Sequence, residues 1–212
     1  MHQTVAMHYC QSCDQPVVME HDRGQAVCPQ CGRADEHAAL GPVFVVTGAS
    51  GSGKTAVLAP LARMLAGRCV AFDVDWLLDS ARTLSGSQPI DWAAFRDAWL
   101  SVAHGVAQCG LATVLLGPFI PEHLQALPAR RWTGDIHFIV LDCPDELRRA
   151  RISARPPWRS RDIEEQVAFG QWLRRNIPER VDTSAGAPED AATAVSAWIT
   201  RHLAEAPPPA TS

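Results

Sequence analysis

A glycine-rich segment between a strand-like run and a helix-like run is the feature that most constrains the fold. Gly48-Ala49-Ser50-Gly51-Ser52-Gly53-Lys54-Thr55 matches G-x-x-x-x-G-K-[ST] at every fixed position, after the apolar residues 43–46. In this setting small residues let backbone N–H groups approach an anion, and the helix N-terminus adds partial positive charge. The segment therefore predicts a phosphate-binding loop made of Gly48, Ser50, Gly51, Ser52, Gly53, Lys54 and Thr55.

Lys54 and Thr55 specify which phosphates such a loop holds. In loops of this pattern the lysine reaches the β and γ phosphates of a nucleotide, and the hydroxyl binds the Mg²⁺ that bridges them. The sequence therefore predicts that ATP or a related nucleotide binds with Mg²⁺. The alternative is a glycine-rich turn that binds nothing.

Lys54 is the single lysine among 212 residues, beside eighteen arginines. A GC-rich genome explains this bias, but the lack of a second lysine excludes the Asn-Lys-x-Asp element by which Ras-like GTPases read guanine. The third predicted strand ends in Leu115-Leu116-Gly117-Pro118-Phe119, without a carboxylate. Motor-like and AAA-type ATPases usually carry a carboxylate there to hold Mg²⁺, so this ending disfavours both classes.

Strand-like and helix-like runs alternate along the rest of the chain, which is typical of a parallel sheet covered by helices. We predict an α/β fold with a five-stranded parallel sheet over residues 41–204, and a disordered, proline-rich tail over 205–212. The predicted strands are 43–47, 69–72, 112–116, 136–141 and 180–182, and the predicted helices are 54–66, 91–108, 144–154, 162–175 and 188–203.

Two carboxylates follow the second predicted strand, in Asp73-Val74-Asp75. Ligands of a parallel sheet bind beyond the carboxyl ends of its strands, so both side chains are expected to face the phosphate loop. One carboxylate can hold Mg²⁺ through water while the other accepts a proton from an attacking hydroxyl. The alternative is that both only cap a helix over residues 74–80.

An arginine-rich segment follows the fourth predicted strand. Guanidinium groups chelate phosphate oxygens and stabilise charge as a phosphoryl group moves. Two prolines at 156–157 interrupt the helix, so residues 148–161 are predicted to form a closing lid. The alternatives are a solvated basic face and a nucleic-acid patch. The arginines are Arg148, Arg149, Arg151, Arg155, Arg159 and Arg161.

These motifs resemble those of the small-molecule P-loop kinases, which include shikimate kinase, gluconate kinase and chloramphenicol phosphotransferase, over about residues 43–204. The resemblance implies a Mg²⁺ role for Asp73, a role on the substrate hydroxyl for Asp75, and phosphate contacts from Arg151 and Arg155 in an Arg-hydrophobic-x-x-Arg pattern. Residues 180–184 resemble the loop that flanks the adenine. The chain lacks the Gly-Gly-Gly of shikimate kinases after the third strand and the substrate motif of gluconate kinases, so the acceptor does not transfer from either family.

Residues 1–37 form a second module with two cysteine pairs. Cys10-x-x-Cys13 and Cys28-x-x-Cys31 are separated by fourteen residues, which is the spacing of a four-cysteine zinc ribbon. Four closed ligands predict a structural zinc ion, and the alternatives are two disulfides or four free thiols. Cys69, Cys109 and Cys143 are left over and are predicted to be buried.

Charge and hydropathy limit the partners. The formal net charge is −4, and acidic residues outnumber arginines in the ribbon, so nucleic-acid binding is disfavoured. The chain has no apolar run of membrane-spanning length, and we predict a cytoplasmic protein. The leading hypothesis is an ATP-dependent kinase acting on a small hydroxyl- or phosphate-bearing acceptor, with a ribbon that supports the enzyme or docks a protein partner. The alternative is a nucleotide-switched adaptor that binds nucleic acid or protein.

Overall fold

The computed structural model describes residues 7–10, 12–22, 25–34, 40–156 and 162–205. Contacts divide the chain into two compact units. The first comprises the described residues up to Val43, with Leu77–Thr113 and Pro121–Ile136, and the second comprises Phe44–Trp76, Val114–Ile120 and the described residues from His137 onward. The predicted ribbon boundary at residue 37 lies outside the described residues, as do Arg159, Arg161 and residues 206–212.

Two short hairpins lie in the first unit, with Cys10 and Cys13 in the first hairpin and Cys28 and Cys31 directly after the second. Strand β1 (Met7–Cys10) pairs antiparallel with β2 (Gln15–Val18), and β3 (Glu20–Asp22) pairs antiparallel with β4 (Gln25–Val27). Each strand has only three or four residues, which is too short for an alternating apolar pattern to be visible in the sequence. The strand content of this module was therefore found only in the structure.

The first unit also contains helices, of which α3 (Trp92–Ala107) is the longest. Asp91 caps α3 by accepting two backbone N–H groups, as its sequence position predicts. Asp97 on the same helix accepts the backbone N–H of Ala129 at 2.7 Å, and Nδ1 of His104 lies 3.0 Å from the carbonyl oxygen of Trp132. These bonds tie a 3-10 helix to α3. The helices are α2 (Leu78–Ser85), α3 (Trp92–Ala107), α4 (Pro121–Leu124) and the 3-10 helix Pro128–Trp132.

A five-stranded parallel sheet flanked by helices confirms the predicted fold class. Its strand order is β6-β7-β5-β8-β9, so the strand that leads into the phosphate loop lies at the centre. The strands are β5 (Val43–Thr47), β6 (Cys69–Asp73), β7 (Ala112–Leu116), β8 (Ile136–Asp142) and β9 (Arg180–Asp182). The helices of the second unit are α1 (Lys54–Met64), α5 (Asp145–Ser153), α6 (Ile163–Asn176) and α7 (Pro188–Glu205).

The core of the second unit lies on the central strands. Every residue of β5 and β7 is buried, as expected for parallel strands covered on both faces. Phe44 of β5 meets Trp198 of α7 edge-on, with ring centroids 5.6 Å apart. Val140 of β8 packs in an apolar cluster with Leu173 and Ile177, at the end of α6. This packing fixes the carboxyl edge of the sheet, where the loops follow.

The last helix is longer than predicted. Glu205, the first residue of the predicted tail, is the final residue of α7. Among the helices formed by the described residues, none combines the length and apolar character needed to span a bilayer.

Candidate functional site

The predicted phosphate loop connects β5 to α1, and its glycines occupy positions that other residues would disturb. Gly51 and Gly53 have φ of +83° and +93°, a region that L side chains rarely adopt. A Cβ on Gly48 would lie 2.6 Å from the carbonyl oxygen of Leu141 in β8. The fold therefore requires glycine at these three positions, and the loop runs directly into the N-terminus of α1.

Charged groups of both signs surround Lys54. Its Nζ donates to the carbonyl oxygens of Gly48 at 2.5 Å and Ala49 at 3.2 Å. Burial lowers the pKa of Lys54 to about 8, the carboxylates of Asp75 and Asp73 act to raise it, and the guanidiniums of Arg148 and Arg155 act to lower it. Lys54 is therefore subject to the charges of the two carboxylates at the end of β6 and of two arginines of the segment that follows β8.

The two carboxylates lie where the second strand ends, and they differ in exposure. Asp73 is the last residue of β6 and is partly buried, whereas Asp75 is exposed in the 3-10 helix Val74–Leu77. One carboxylate oxygen of Asp73 accepts the backbone N–H of Asp75 at 3.1 Å. The capping alternative is therefore realised for Asp73, but the Asp75 carboxylate caps nothing through a described hydrogen bond and is exposed.

Gly117 determines the position of the turn formed by Asp73, Val74 and Asp75. The sequence did not reveal this role. Gly117 directly follows β7, and a Cβ there would lie 2.2 Å from Cγ2 of Val74. Val74 is buried between Asp73 and Asp75. Only a residue without a side chain lets the two strand ends approach this closely.

Arg148, which the sequence assigns to the predicted lid, is buried. Its side chain is 0% exposed and donates to a carboxylate oxygen of Asp142 at 2.6 Å. Arg174 of α6 also pairs with Asp142, at 2.5 Å, and with Asp145, at 2.7 Å. Hydrogen bonds from Gln171 and Arg174 hold the pKa of Asp145 below its usual value. Asp142 thus joins α5 to α6. The sequence feature that could have identified this residue is a carboxylate at the carboxyl end of a parallel strand.

Arg151 and Arg155 lie beside the phosphate loop, and Arg149 does not. Arg151 donates to the carbonyl oxygen of Gly51 at 3.2 Å and to that of Thr183, after β9, at 2.7 Å. Arg149 instead forms a surface ion pair with Glu164. The hydroxyl of Thr183 lies 3.0 Å from the backbone carbonyl oxygen of Ser52 in the phosphate loop and donates to it. Arg151 and Thr183 therefore hold the segment after β9 against the loop.

A cavity of about 350 Å³ opens between these elements. Gly51 and Gly53 of the phosphate loop lie on one side, and Arg151 and Arg155 also line it. The remaining walls are mostly small aliphatic residues of α1 and of the segment that leads into α7. A concave site of this size with apolar walls and a few polar groups suits a small ligand. The aliphatic lining consists of Ala56, Val57, Ala185, Ala187, Pro188 and Ala191.

The four cysteines predicted to bind zinc converge in the first unit. Their sulfur atoms all lie within 4.8 Å of one another, and the pairs Cys10–Cys31 and Cys13–Cys28 are 3.8 Å apart. Zn–S bonds of about 2.3 Å in a tetrahedron place the sulfurs about 3.8 Å apart, so the residues fit a Zn²⁺ ion. Among the leftover cysteines, Cys69 and Cys143 are buried as predicted, but Cys109 is exposed.

Comparison with known proteins supplies the family. A family model described as an AAA domain matches residues 45–168, which is more than half of the chain. The chain belongs to this AAA domain family. A third strand that ends without a carboxylate therefore does not exclude the family, contrary to the sequence-based expectation. A search of curated proteins gives no match.

Solved structures that resemble this AAA domain protein include a sugar kinase from Janibacter sp. HTCC2649, with 19% identity, a TM-score of 0.56, and coverage of 80% of this chain and 99% of that one. A tunicamycin resistance protein from Deinococcus radiodurans has 17% identity, a TM-score of 0.55, and coverage of 75% and 95%. Shikimate kinase from Aquifex aeolicus has 15% identity, a TM-score of 0.51, and coverage of 78% and 99%. At these identities the likeness shows a P-loop kinase-like fold.

Proposed function

We propose that this protein is a Mg²⁺-dependent phosphotransferase that moves the γ-phosphoryl group of ATP to a small-molecule hydroxyl or phosphate acceptor. The observation that carries the proposal is that Asp73 and Asp75 lie at the end of β6, that Arg155 lines the cavity beside the phosphate loop, and that the charges of all three act on Lys54. A purely nucleotide-binding switch needs the loop and a metal ligand, but it needs no second, exposed carboxylate whose charge acts on the loop lysine. We assign that role to Asp75.

The phosphates would lie on the backbone N–H groups of residues 51–55, with Lys54 reaching the β and γ phosphates. Thr55 and Asp73 would hold Mg²⁺, which would neutralise charge on the phosphate oxygens. Arg151 and Arg155 would contact the phosphates from the side of α5. The aliphatic cavity at the start of α7 would receive the base, as the resemblance of residues 180–184 implies.

Asp75 would act on a hydroxyl acceptor. The acceptor oxygen would form a bond to the γ phosphorus while the bond between that phosphorus and the β–γ bridging oxygen breaks. Asp75 would take the hydroxyl proton, and ADP would leave with the electron pair of the broken bond. Exposed Trp76 follows Asp75 directly and would border the acceptor.

Zn²⁺ would occupy the cluster of Cys10, Cys13, Cys28 and Cys31 and stabilise the ribbon. With four protein ligands the ion keeps no open position for water, so its role would be structural. A protein partner docked through the ribbon stays a prediction from the sequence.

An ADP-release screen with MgATP tests the proposal across nucleosides, nucleotides, sugars, polyols and amino-sugar antibiotics. We expect one class to stimulate release, with phosphorylated acceptor detected by mass spectrometry. Lys54→Met should abolish turnover, and Asp75→Asn should lower acceptor-dependent turnover by roughly 10² or more while ADP still binds. Asp79→Asn is the matched control, because that carboxylate is exposed and paired with Arg82, so its turnover should equal that of the wild type. Release that no acceptor stimulates, or an Asp75→Asn variant with full activity, would contradict the proposal.

A further inference from the structure

Ser50 of the phosphate loop is held by a side chain of α6. Its backbone N–H donates to Oε1 of Gln166 at 2.8 Å, across 116 residues of sequence. Gln166 lies in the first turns of α6, whose N-terminus is fixed because Asp162 accepts the backbone N–H of Glu165 at 2.9 Å. The amide oxygen of Gln166 is therefore presented by a capped helix.

The carbonyl group of Ser50 is held as well. Nη1 of Arg148 donates to this oxygen at 3.2 Å. A Cβ on Gly170, also in α6, would lie 2.9–3.0 Å from the guanidinium of Arg148, so the arginine lies directly against the backbone of that helix. One helix thus supports both hydrogen bonds to Ser50, directly through Gln166 and indirectly through Arg148.

These two bonds fix the peptide groups on both sides of Ser50. The next residue is Gly51, whose positive φ turns the chain so that the amides of residues 51–55 follow one another into α1. A loop that binds an anion through successive backbone N–H groups needs those groups oriented in advance. If Ser50 rotates, the amides that follow it change direction.

We infer that Gln166 is a positioning residue for the nucleotide phosphates, acting through the Ser50 amide rather than through contact with the reacting atoms. The inference deepens the proposed function and rests on its assignment of a nucleotide to the loop. Gln166 lies outside every motif that the sequence revealed, because its partner is 116 positions away and a glutamine on a helix is ordinarily a surface residue.

The test compares Gln166→Met, which keeps the length of the side chain but removes the acceptor, with Gln166→Glu, whose carboxylate can still accept the Ser50 N–H. Gln171→Met is the matched control, because it removes another glutamine of α6, one that bonds to Asp145 and not to the loop. Three quantities are measured: amide hydrogen exchange at Ser50 by NMR, the Kd of ADP by calorimetry, and Tm.

In Gln166→Met, the hydrogen-exchange rate of the Ser50 amide should be about tenfold higher than in the wild type. The Kd of ADP should also rise about tenfold, as expected for the loss of one partly buried hydrogen bond. Gln166→Glu should restore slow exchange at Ser50, and Gln171→Met should leave exchange and Kd unchanged. If Gln166→Met lowers Tm but leaves Ser50 exchange and the Kd of ADP at wild-type values, Gln166 is only a packing residue and the inference is wrong. A protein that binds ADP with these dependences but phosphorylates no acceptor would refute the kinase proposal and not this inference.

Discussion

At the scale of single residues, the turn formed by Asp73, Val74 and Asp75 depends on the absence of a side chain at Gly117. The strand ends of β6 and β7 approach so closely that the position of Gly117 has no room for a methyl group beside Val74. Val74 lies between Asp73 and Asp75, so a shift of its backbone would move both carboxylates. On the proposed function, Gly117 would therefore position the acceptor side of the site without taking part in the chemistry.

Gly117→Ala should displace Val74, lower the free energy of unfolding by about 1–3 kcal/mol through overpacking, and reduce acceptor-dependent turnover more than it weakens ADP binding. Gly105→Ala is the matched control, because Gly105 lies within α3 with nothing within 4 Å of an added Cβ, and it should be neutral or slightly stabilising. Urea unfolding, the Kd of ADP and the ADP-release rate distinguish the two variants. Equal unfolding free energies for both variants would show that β7 yields to the methyl group.

The sequence predicted the charged residues of the candidate site but not the contacts that position them. The phosphate-loop motif predicted roles for Lys54 and Thr55, and the ends of predicted strands predicted roles for Asp73 and Asp75. The sequence did not indicate the contact between Gly117 and Val74, because the two residues are 43 positions apart. Contacts over such distances leave no local pattern in a single sequence.

At the scale of elements, the arginines in α5 and just after it have different surroundings although they are close together in the sequence. The resemblance to P-loop kinases selected Arg151 and Arg155 from this segment, but the sequence did not show that Arg148 is buried or that Arg149 pairs with Glu164. Arg148 of α5 is buried, Arg149 of α5 pairs on the surface, and Arg151 of α5 lines the cavity beside the phosphate loop together with Arg155, which follows the helix. Asp142 makes this arrangement possible by neutralising the buried guanidinium.

Asp142→Asn should therefore be strongly destabilising. It leaves Arg148, 0% exposed, without its anionic partner, and removing one partner of a buried pair costs roughly 3 kcal/mol. Glu164→Gln breaks the exposed pair with Arg149 and should leave the free energy of unfolding nearly unchanged, because solvent screens exposed ion pairs. Urea unfolding of both variants measures the difference. Similar losses for the two variants would mean that Arg148 finds another partner or that water reaches it.

At the scale of the whole molecule, alternating strand and helix patterns predicted all five strands of the sheet to within one residue at each end. The order β6-β7-β5-β8-β9 could not be predicted from the sequence. Buried parallel strands are apolar on both faces, so their residues do not indicate which strands lie next to them. The ribbon shows the opposite case. Its strands were invisible in the sequence, but its cysteine spacing predicted the cluster that the structure contains.

The four clustered cysteines belong to the first unit, whereas the phosphate loop lies within residues 44–76 of the second. We expect native mass spectrometry to find one zinc ion per chain. Cys31→Ser should release zinc to a chromogenic chelator, because a structural site needs all four ligands. Cys109→Ser should retain it, because Cys109 is exposed and outside the cluster.

The Kd of ADP should match that of the wild type in both variants. Zinc retention by Cys31→Ser would contradict the four-cysteine site, and a large loss of ADP affinity on zinc release would show that the ribbon supports the nucleotide loop.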